Sequence, residues 1–243
     1  MMSQRGRRNG LVWAVVGACV LIVGVVALVI GGVINATTPA PTAPISPTPA
    51  PSAPEPDSSD STVVDRGALD QGWIPEPITT DAEQYVRATL AAAGTFDTTK
   101  STYEEWIAYL GTWFTPDTRY ATEQDRQAEL EAAKLEMRQG VVLPEQEWDS
   151  LANETGRVSS VTTGEVAFAP VPQDPNGTMV IGTADVTMTF TRADGSGGEI
   201  SYDESTRVSV QVLCGPGSVP VPDSPQQAGD CKLVRFFTET VEP

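Results

Sequence analysis

The chain has 243 residues, with 15 Lys and Arg, 32 Asp and Glu, no histidine and a formal net charge of −17. That length allows one or two domains. Without histidine there is no Ser-His-Asp triad, Cys-His dyad, HExxH zinc site or imidazole pH switch. The acidic balance argues against nucleic acid as a direct partner, because phosphate binding needs a basic face.

The charges are segregated. Arg5, Arg7 and Arg8 open the chain, residues 9–54 carry no charge, and all 32 acids with the other twelve bases lie from Glu55 onward. The downstream part therefore has a balance of −20. Residues 11–34 contain only Leu, Val, Ile, Ala, Gly, one Trp and one Cys. At 1.5 Å per residue this run reaches about 36 Å, enough to cross a hydrocarbon core of about 30 Å with some tilt. A cleaved signal peptide fits less well, since its apolar core is shorter and a small residue is wanted where Ile34 stands. The sequence thus predicts a basic cytoplasmic tail over residues 1–10 and one transmembrane helix over 11–34. The positive-inside rule places the remainder outside the membrane. Gly17, Gly24 and Gly31 recur every seven residues on one helical face, a spacing that suits close helix packing in lipid.

Residues 37–56 hold eight prolines in 20 positions. That composition predicts an extended spacer within a disordered linker over 35–68. It lacks the basic residue that orients proline-rich SH3 ligands. An extracytoplasmic domain is expected over 69–243, long enough for one core. Trp73 and Ile74, before Pro75 and Pro77, read as an extended arm that docks a tryptophan.

Helices come first in this domain. Residues 79–93 read as a helix capped by Thr79, Thr80 or Asp81 and stopped near Gly94. Tyr103, Trp106, Ile107, Leu110, Trp113 and Phe114 share one helical face, and Ser101 with Glu104 has capping-box spacing. Residues 122–139 form a third helix stopped by Gly140, and 144–153 a short fourth. Strand patterns follow over 158–171, 179–191, 199–214 and 231–241. Turn signals at Asp174-Pro175-Asn176-Gly177 and Asp194-Gly195-Ser196-Gly197-Gly198 separate the first three. The class is α+β: helices packed on a curved four-stranded antiparallel sheet.

Cys19 falls in the apolar run. Cys214 and Cys231 flank a loop rich in Gly and Pro, and on the outer side of a membrane they are expected to form a structural disulfide. A redox or metal pair is the alternative, but the spacing is not CxxC and no histidine is at hand. Sites for chemistry are otherwise absent. There is no GxSxG, P-loop or dinucleotide motif, and no SxxK precedes Lys100, Lys134 or Lys232. Acid pairs such as Glu104/Glu105, or the set Glu129, Glu131 and Glu136, suit the solvated face of a helix. Asp194 to Glu199 lacks EF-hand spacing and reads as a hairpin turn. Asn35, Asn153 and Asn176 fit glycosylation acceptors. The stripe Tyr103, Trp106, Leu110, Trp113 and Phe114 is either core against the sheet or the wall of a pocket. No catalytic, metal or cofactor residue is predicted.

One pattern resembles a known family. The tail, span and proline-rich spacer are followed by Tyr85-Val86-Arg87, Phe96-Asp97 and Tyr103-Glu104-Glu105-Trp106, then Leu110, Trp113-Phe114-Thr115-Pro116-Asp117 and a late meander. This order is similar to the nuclear transport factor two-like superfamily. Within it, the chain resembles the single-span subunits of conjugative transfer and type IV secretion machines, the eighth VirB protein and its relatives. The resemblance implies a cone-shaped domain of helices in a curved sheet that oligomerises and holds channel components together without being an enzyme. The enzymatic branches use His-Asp or Asp-based pockets, and none carries over here. The expectation is a membrane-anchored scaffold subunit in a cell-envelope complex, with other envelope or secretion proteins and itself as partners. Binding of a small molecule or lipid inside the cone is the alternative.

Overall fold

In the computed structural model of the chain, residues 62–174 and 176–242 are described. The predicted tail, the span with Gly17, Gly24 and Gly31, and the linker up to residue 61 lie outside them. Among the described residues no helix is long and apolar enough to cross a membrane.

The described part starts with an arm. Residues 62–64 run beside 76–78, with Val64 N donating to Glu76 O at 2.9 Å and Ile78 N to Thr62 O at 2.9 Å. A short 3-10 helix, Arg66–Leu69, capped by Asp65, turns the chain between them. Trp73 then stacks on Tyr109 at 4.8 Å and donates its indole N–H to Ser101 Oγ at 3.0 Å.

Four α-helices and five strands follow. Helix α1 (Ala82–Ala92) is capped by Asp81, which accepts from Glu83 N and Gln84 N. The two-residue strand β1 (Phe96–Asp97) leads to α2 (Tyr103–Thr112). The capping box of α2 is Thr102 with Glu105, one residue beyond the Ser101–Glu104 pair expected from spacing. Ser101 is unavailable as a cap because its hydroxyl receives the Trp73 indole. Helix α3 (Glu123–Gly140) is capped by Thr122 and buries only Ala133 and Met137, so its charged residues face solvent. Helix α4 (Glu145–Ala152) buries Trp148.

The strands β2 (Arg157–Pro170), β3 (Met179–Ala193), β4 (Glu199–Leu213) and β5 (Lys232–Phe237) form an antiparallel meander in the order β1-β2-β3-β4-β5. The sheet therefore has five strands, where four were expected. Strand β1 is too short to leave a periodic signal and exists only through its pairing with Arg157 and Val158. Bulges between Thr163 and Ala167 in β2, and between Gln211 and Val212 in β4, interrupt the registers.

Side chains alternate across a sheet, and the two faces have different roles here. Val158, Ala184, Val186, Phe190, Val210 and Val212 join Val86 and Leu90 of α1, Trp106 of α2, Met137 of α3 and Trp148 of α4 in one core. The opposite face carries a small cluster, Ala169, Val171, Met179, Ile181, Leu213 and Val234, partly covered by Val241 of the C-terminal tail. Farther along that face it is polar, with Thr189 donating to Asp203 at 2.7 Å and Thr191 paired to Ser201 at 2.8 Å. Gly182 lets α1 approach: a Cβ there would stand 2.8 Å from Val86 Cγ1.

Candidate interaction surface

The aromatic stripe lies inside the core. Tyr103, Trp106, Leu110, Trp113 and Phe114 are all buried. Phe96 stacks on Trp148 at 4.1 Å, and Trp106 lies 4.8 Å from Phe96 and 5.3 Å from Trp148. These rings fill the space between helices and sheet.

Cys214 and Cys231 are joined, closing a loop of sequence separation 17. Next to the bridge is a cluster that sequence reasoning missed. Glu76 and Lys232 are 0% and 1% exposed, with Lys232 Nζ 2.7 Å from Glu76 Oε1. The same oxygen accepts from Tyr85 OH at 2.6 Å and Gln226 Nε2 at 3.1 Å. Lys232 also donates to Thr112 O at 2.9 Å. Burial raises the Glu76 carboxyl above its ordinary value, against the pull of Lys232, and burial lowers the Lys232 ammonium, against the pull of Glu76. The Tyr85 phenol is pushed well above its usual value by burial and by the Glu76 carboxylate, so it stays a proton donor. The cluster ties together the arm (Glu76), α1 (Tyr85), the end of α2 (Thr112), the disulfide loop (Gln226) and β5 (Lys232). None of the described cavities is lined by Glu76, Tyr85, Gln226 or Lys232, so the arrangement acts as a latch. Its members stand up to 156 positions apart, and both charges looked like ordinary surface charges in sequence.

Other candidates for chemistry are occupied locally. Asp194 accepts from Ser196 N, Ser196 Oγ and Gly198 N, which holds its carboxyl below the usual range, and Glu199 pairs with Arg157 at 2.6 Å. Among the described residues no group of three or more His, Cys, Asp or Glu could hold a metal ion. An open hollow of about 500 Å³ between α2 and α3 is walled by Ile107, Gly111, Leu135 and Met137. Its rim charges are already paired, Lys134 with Glu131 and Arg138 with Glu145.

One uncovered part of the fold, among the described residues, is the far half of β4. Strand β5 pairs with β4 only over residues 209–213. Over 199–208 the outer edge of β4 has no backbone partner among the described residues. In an antiparallel strand alternate residues point both N–H and C=O to that edge. The start of β5 and part of the β2 edge are tied down, although β2 too lacks a backbone partner on its outer side beyond Val158 among the described residues. Thr115 N donates to Leu233 O at 2.7 Å and Leu233 N to Trp113 O at 3.0 Å, which closes the start of β5. Thr95 Oγ1 receives Ser160 N, and Arg87 donates to Gly164 O, which ties β2 to α1 and its C-terminal loop.

The same half of β4 is bare on the core-side face. Ile200, Tyr202 and Glu204 occupy the alternate positions that, farther along, carry the buried Val210 and Val212. Ile200 is 52% and Tyr202 43% exposed. Tyr202 stacks on Phe190 at 5.1 Å, nearly parallel. Beneath it are two adjoining hollows of about 210 and 280 Å³ that share Leu143, Phe190 and Glu204. Glu204 has no hydrogen bond or ion pair among the described residues. The strand periodicity of 199–214 was visible in sequence; what was not visible is that β5 stops short and that α4 faces Tyr202 across a hollow and leaves it 43% exposed.

No family model and no curated protein sequence matches the chain. In fold it is similar to two solved structures. One is an IcmL-like type IV secretion system protein from Legionella pneumophila, at 9% identity and a TM-score of 0.39, covering 66% of this chain and 91% of that one. The other is CagV, a VirB8 homolog of the type IV secretion system of Helicobacter pylori, at 11% identity and a TM-score of 0.36, covering 64% and 93%. Both are type IV secretion proteins, the group that the sequence pattern also resembles.

Proposed function

We propose that the chain is a membrane-anchored, non-enzymatic assembly subunit of a cell-envelope complex, with secretion or conjugative DNA transfer as its setting. In this reading residues 11–34 anchor it, the proline-rich segment spaces it from the bilayer, and the folded domain works outside the membrane as a protein-binding module. The observation that carries the reading is the open half of β4, where an unpaired strand edge adjoins exposed Ile200 and Tyr202. Unpaired edges and contiguous apolar surface are what proteins cover when they have no partner to meet. The absence of histidine and the internal pairing of the buried Glu76–Lys232 cluster also favour a binding role. Chemical cross-linking of the full-length protein in its native membrane, with mass spectrometric identification, tests the proposal. Reproducible links from the 69–243 domain to other envelope proteins are expected. A chain that links only to itself would overturn it.

Binding of an apolar small molecule in the same region is a second reading, favoured by the hollow lined by Val158, Met188 and Phe190. It ranks lower because each hollow is smaller than the roughly 300–1,000 Å³ usual for ligand pockets, and because the interior beyond is filled by rings. Native mass spectrometry of the purified protein separates the two: a retained small molecule supports this reading, and none counts against it.

A further inference from the structure

We infer that the open edge of β4, residues 199–208, receives an extended, basic segment of a partner protein as an added antiparallel or parallel strand. The inference rests on the assembly reading above and names the surface and the chemistry of what docks there.

The backbone dictates the form of the occupant. Ten residues of unpaired edge offer alternating donors and acceptors that only another extended chain can satisfy along their length. Side chains dictate its character. On the core-side face, Ile200 and Tyr202 offer apolar contact area above the Phe190 ring. On the other face, Asp203 receives a hydrogen bond from Thr189 but has no cation. Glu204 has neither. The remaining charges of this stretch are matched within the chain, Glu199 by Arg157 and Arg207 by Asp185 and Glu242. The unmatched charge is therefore wholly acidic, on a domain that is itself strongly acidic. A strand with apolar residues against Ile200 and Tyr202, Lys or Arg against Asp203, and a basic residue near Glu204 fits both faces.

The competing occupants fit less well. A second copy brings the same unmatched acids and the same net charge, and a two-fold antiparallel pairing centred on Asp203 or on Glu204 sets that acid against its own copy, which is repulsive. The chain's own proline-rich segment lacks donors at eight of its 20 positions over 37–56. The two acids have a bland role as well. Charged residues on an edge guard it against aggregation, and that role alone would require no partner.

The test uses the full-length chain, purified in detergent, and three synthetic ten-residue peptides. One alternates Lys and Val, one alternates Glu and Val, and one is the Lys–Val peptide with every amide N-methylated, which blocks both strand edges. Amide hydrogen exchange is read with and without each peptide. The Lys–Val peptide is expected to slow exchange within residues 199–208 by about tenfold or more near saturation. The N-methylated form, blocked on both edges, should give no such protection. Asp203→Asn keeps the acceptor for Thr189 and should weaken the Lys–Val peptide about two- to fivefold. Glu204→Lys, at a side chain with no bond to lose, should weaken it and improve the Glu–Val peptide.

Four results would overturn the inference. Equal binding of both peptides, or protection confined to other residues, removes the edge or its charge preference. Exchange at 199–208 that stays fast at millimolar Lys–Val peptide leaves the acids as guards only. Protection of 199–208 that rises with protein concentration alone makes the occupant a second copy. If any of these occurs while the membrane cross-links to envelope proteins persist, the assembly reading survives and this docking mode does not.

Discussion

Replacing Lys232 by Met should cost the folded domain more than any other single exposed-to-apolar or charge change, because it leaves a carboxylate buried without its counter-ion. Lys232 Nζ donates to Glu76 Oε1 at 2.7 Å and to Thr112 O at 2.9 Å, and both charged residues are essentially inaccessible. After the change Glu76 keeps only Tyr85 OH and Gln226 Nε2, and its Oε2 already has no partner. Breaking a buried pair from one side costs about 3–5 kcal/mol. For a domain of this size that is a fall in Tm of roughly 6–20 °C. The loss should depend on pH, and its sign follows from Glu76. Its folded value is raised by burial above the unfolded one. Its contribution is therefore fully present below the unfolded value and is lost as pH rises through the folded value. Without Lys232 the folded value rises further, so the penalty grows upward from the wild-type folded value, itself above the ordinary carboxylate range, by up to about 1.4 kcal/mol per pH unit, and then levels off. Denaturant unfolding of the oxidised protein and the variant between pH 5 and 8 measures this. Adding Glu76→Gln to Lys232→Met should restore most of the loss at neutral pH, since the remaining groups are neutral and Gln still accepts from Tyr85. A Lys232→Met penalty below about 1 kcal/mol, or one that is flat with pH, would refute the reasoning.

Three further outcomes are expected. Reducing the Cys214–Cys231 bridge, which closes a separation of 17 residues, should lower stability by about 3 kcal/mol by loop entropy, read as a drop in Tm with and without reductant. Gly182→Ala places a methyl 2.8 Å from Val86 Cγ1 and Cγ2 and should cost about 1–3 kcal/mol by overpacking; Val86→Ala in the same chain should recover part of it. Ile200→Ser and Tyr202→Ser, at exposed positions, should change stability by less than about 1 kcal/mol while reducing cross-links from the domain to the envelope partners proposed above; unchanged cross-linking would remove these residues from the proposed interface.

What the sequence carried was local order. The spacing of Trp106, Leu110 and Trp113 marks the buried face of α2 because a helix repeats every 3.6 residues, and Asp194-Gly195 marks the β3–β4 turn because glycine accepts a positive φ, 75° at Gly195. What it did not carry were features made by distance in space. The cap of α2 shifts by one residue because Trp73, 28 positions from Ser101, claims that hydroxyl. Strand β1 is two residues long and is defined by Arg157 and Val158. Glu76 and Lys232 meet only because the arm and β5 lie together, and neither has a local pattern that separates a buried charge from a solvated one. The open edge is likewise a relation between strands: β4 has 15 residues and β5 has six, and no property of residues 199–208 alone says that their neighbour ends early.

The placement of rigid and open parts supports one mechanical reading of the domain. Where the chain enters from its N-terminal side, the arm is held by the Glu76 latch, by Trp73 on Tyr109 and, through Cys231 N donating to Thr79 O at 2.7 Å, by the residue that forms the disulfide. These attachments join the arm to α1, α2 and β5, so a pull on the arm is transmitted to the sheet rather than peeling off a terminal segment. The open half of β4 lies at the other end of the same continuous strand that passes the disulfide, since β4 runs from Glu199 at the free end to Leu213 beside Cys214. An extended strand is stiff along its length and its hydrogen bonds to β3 run without a break over 15 residue pairs. A partner added at residues 199–208 would therefore be coupled through one β-ladder to the point where the arm is fastened. That is the property a subunit needs if it is to hold an assembly at a fixed distance from its anchor, and it follows from where the bonds are and where they stop.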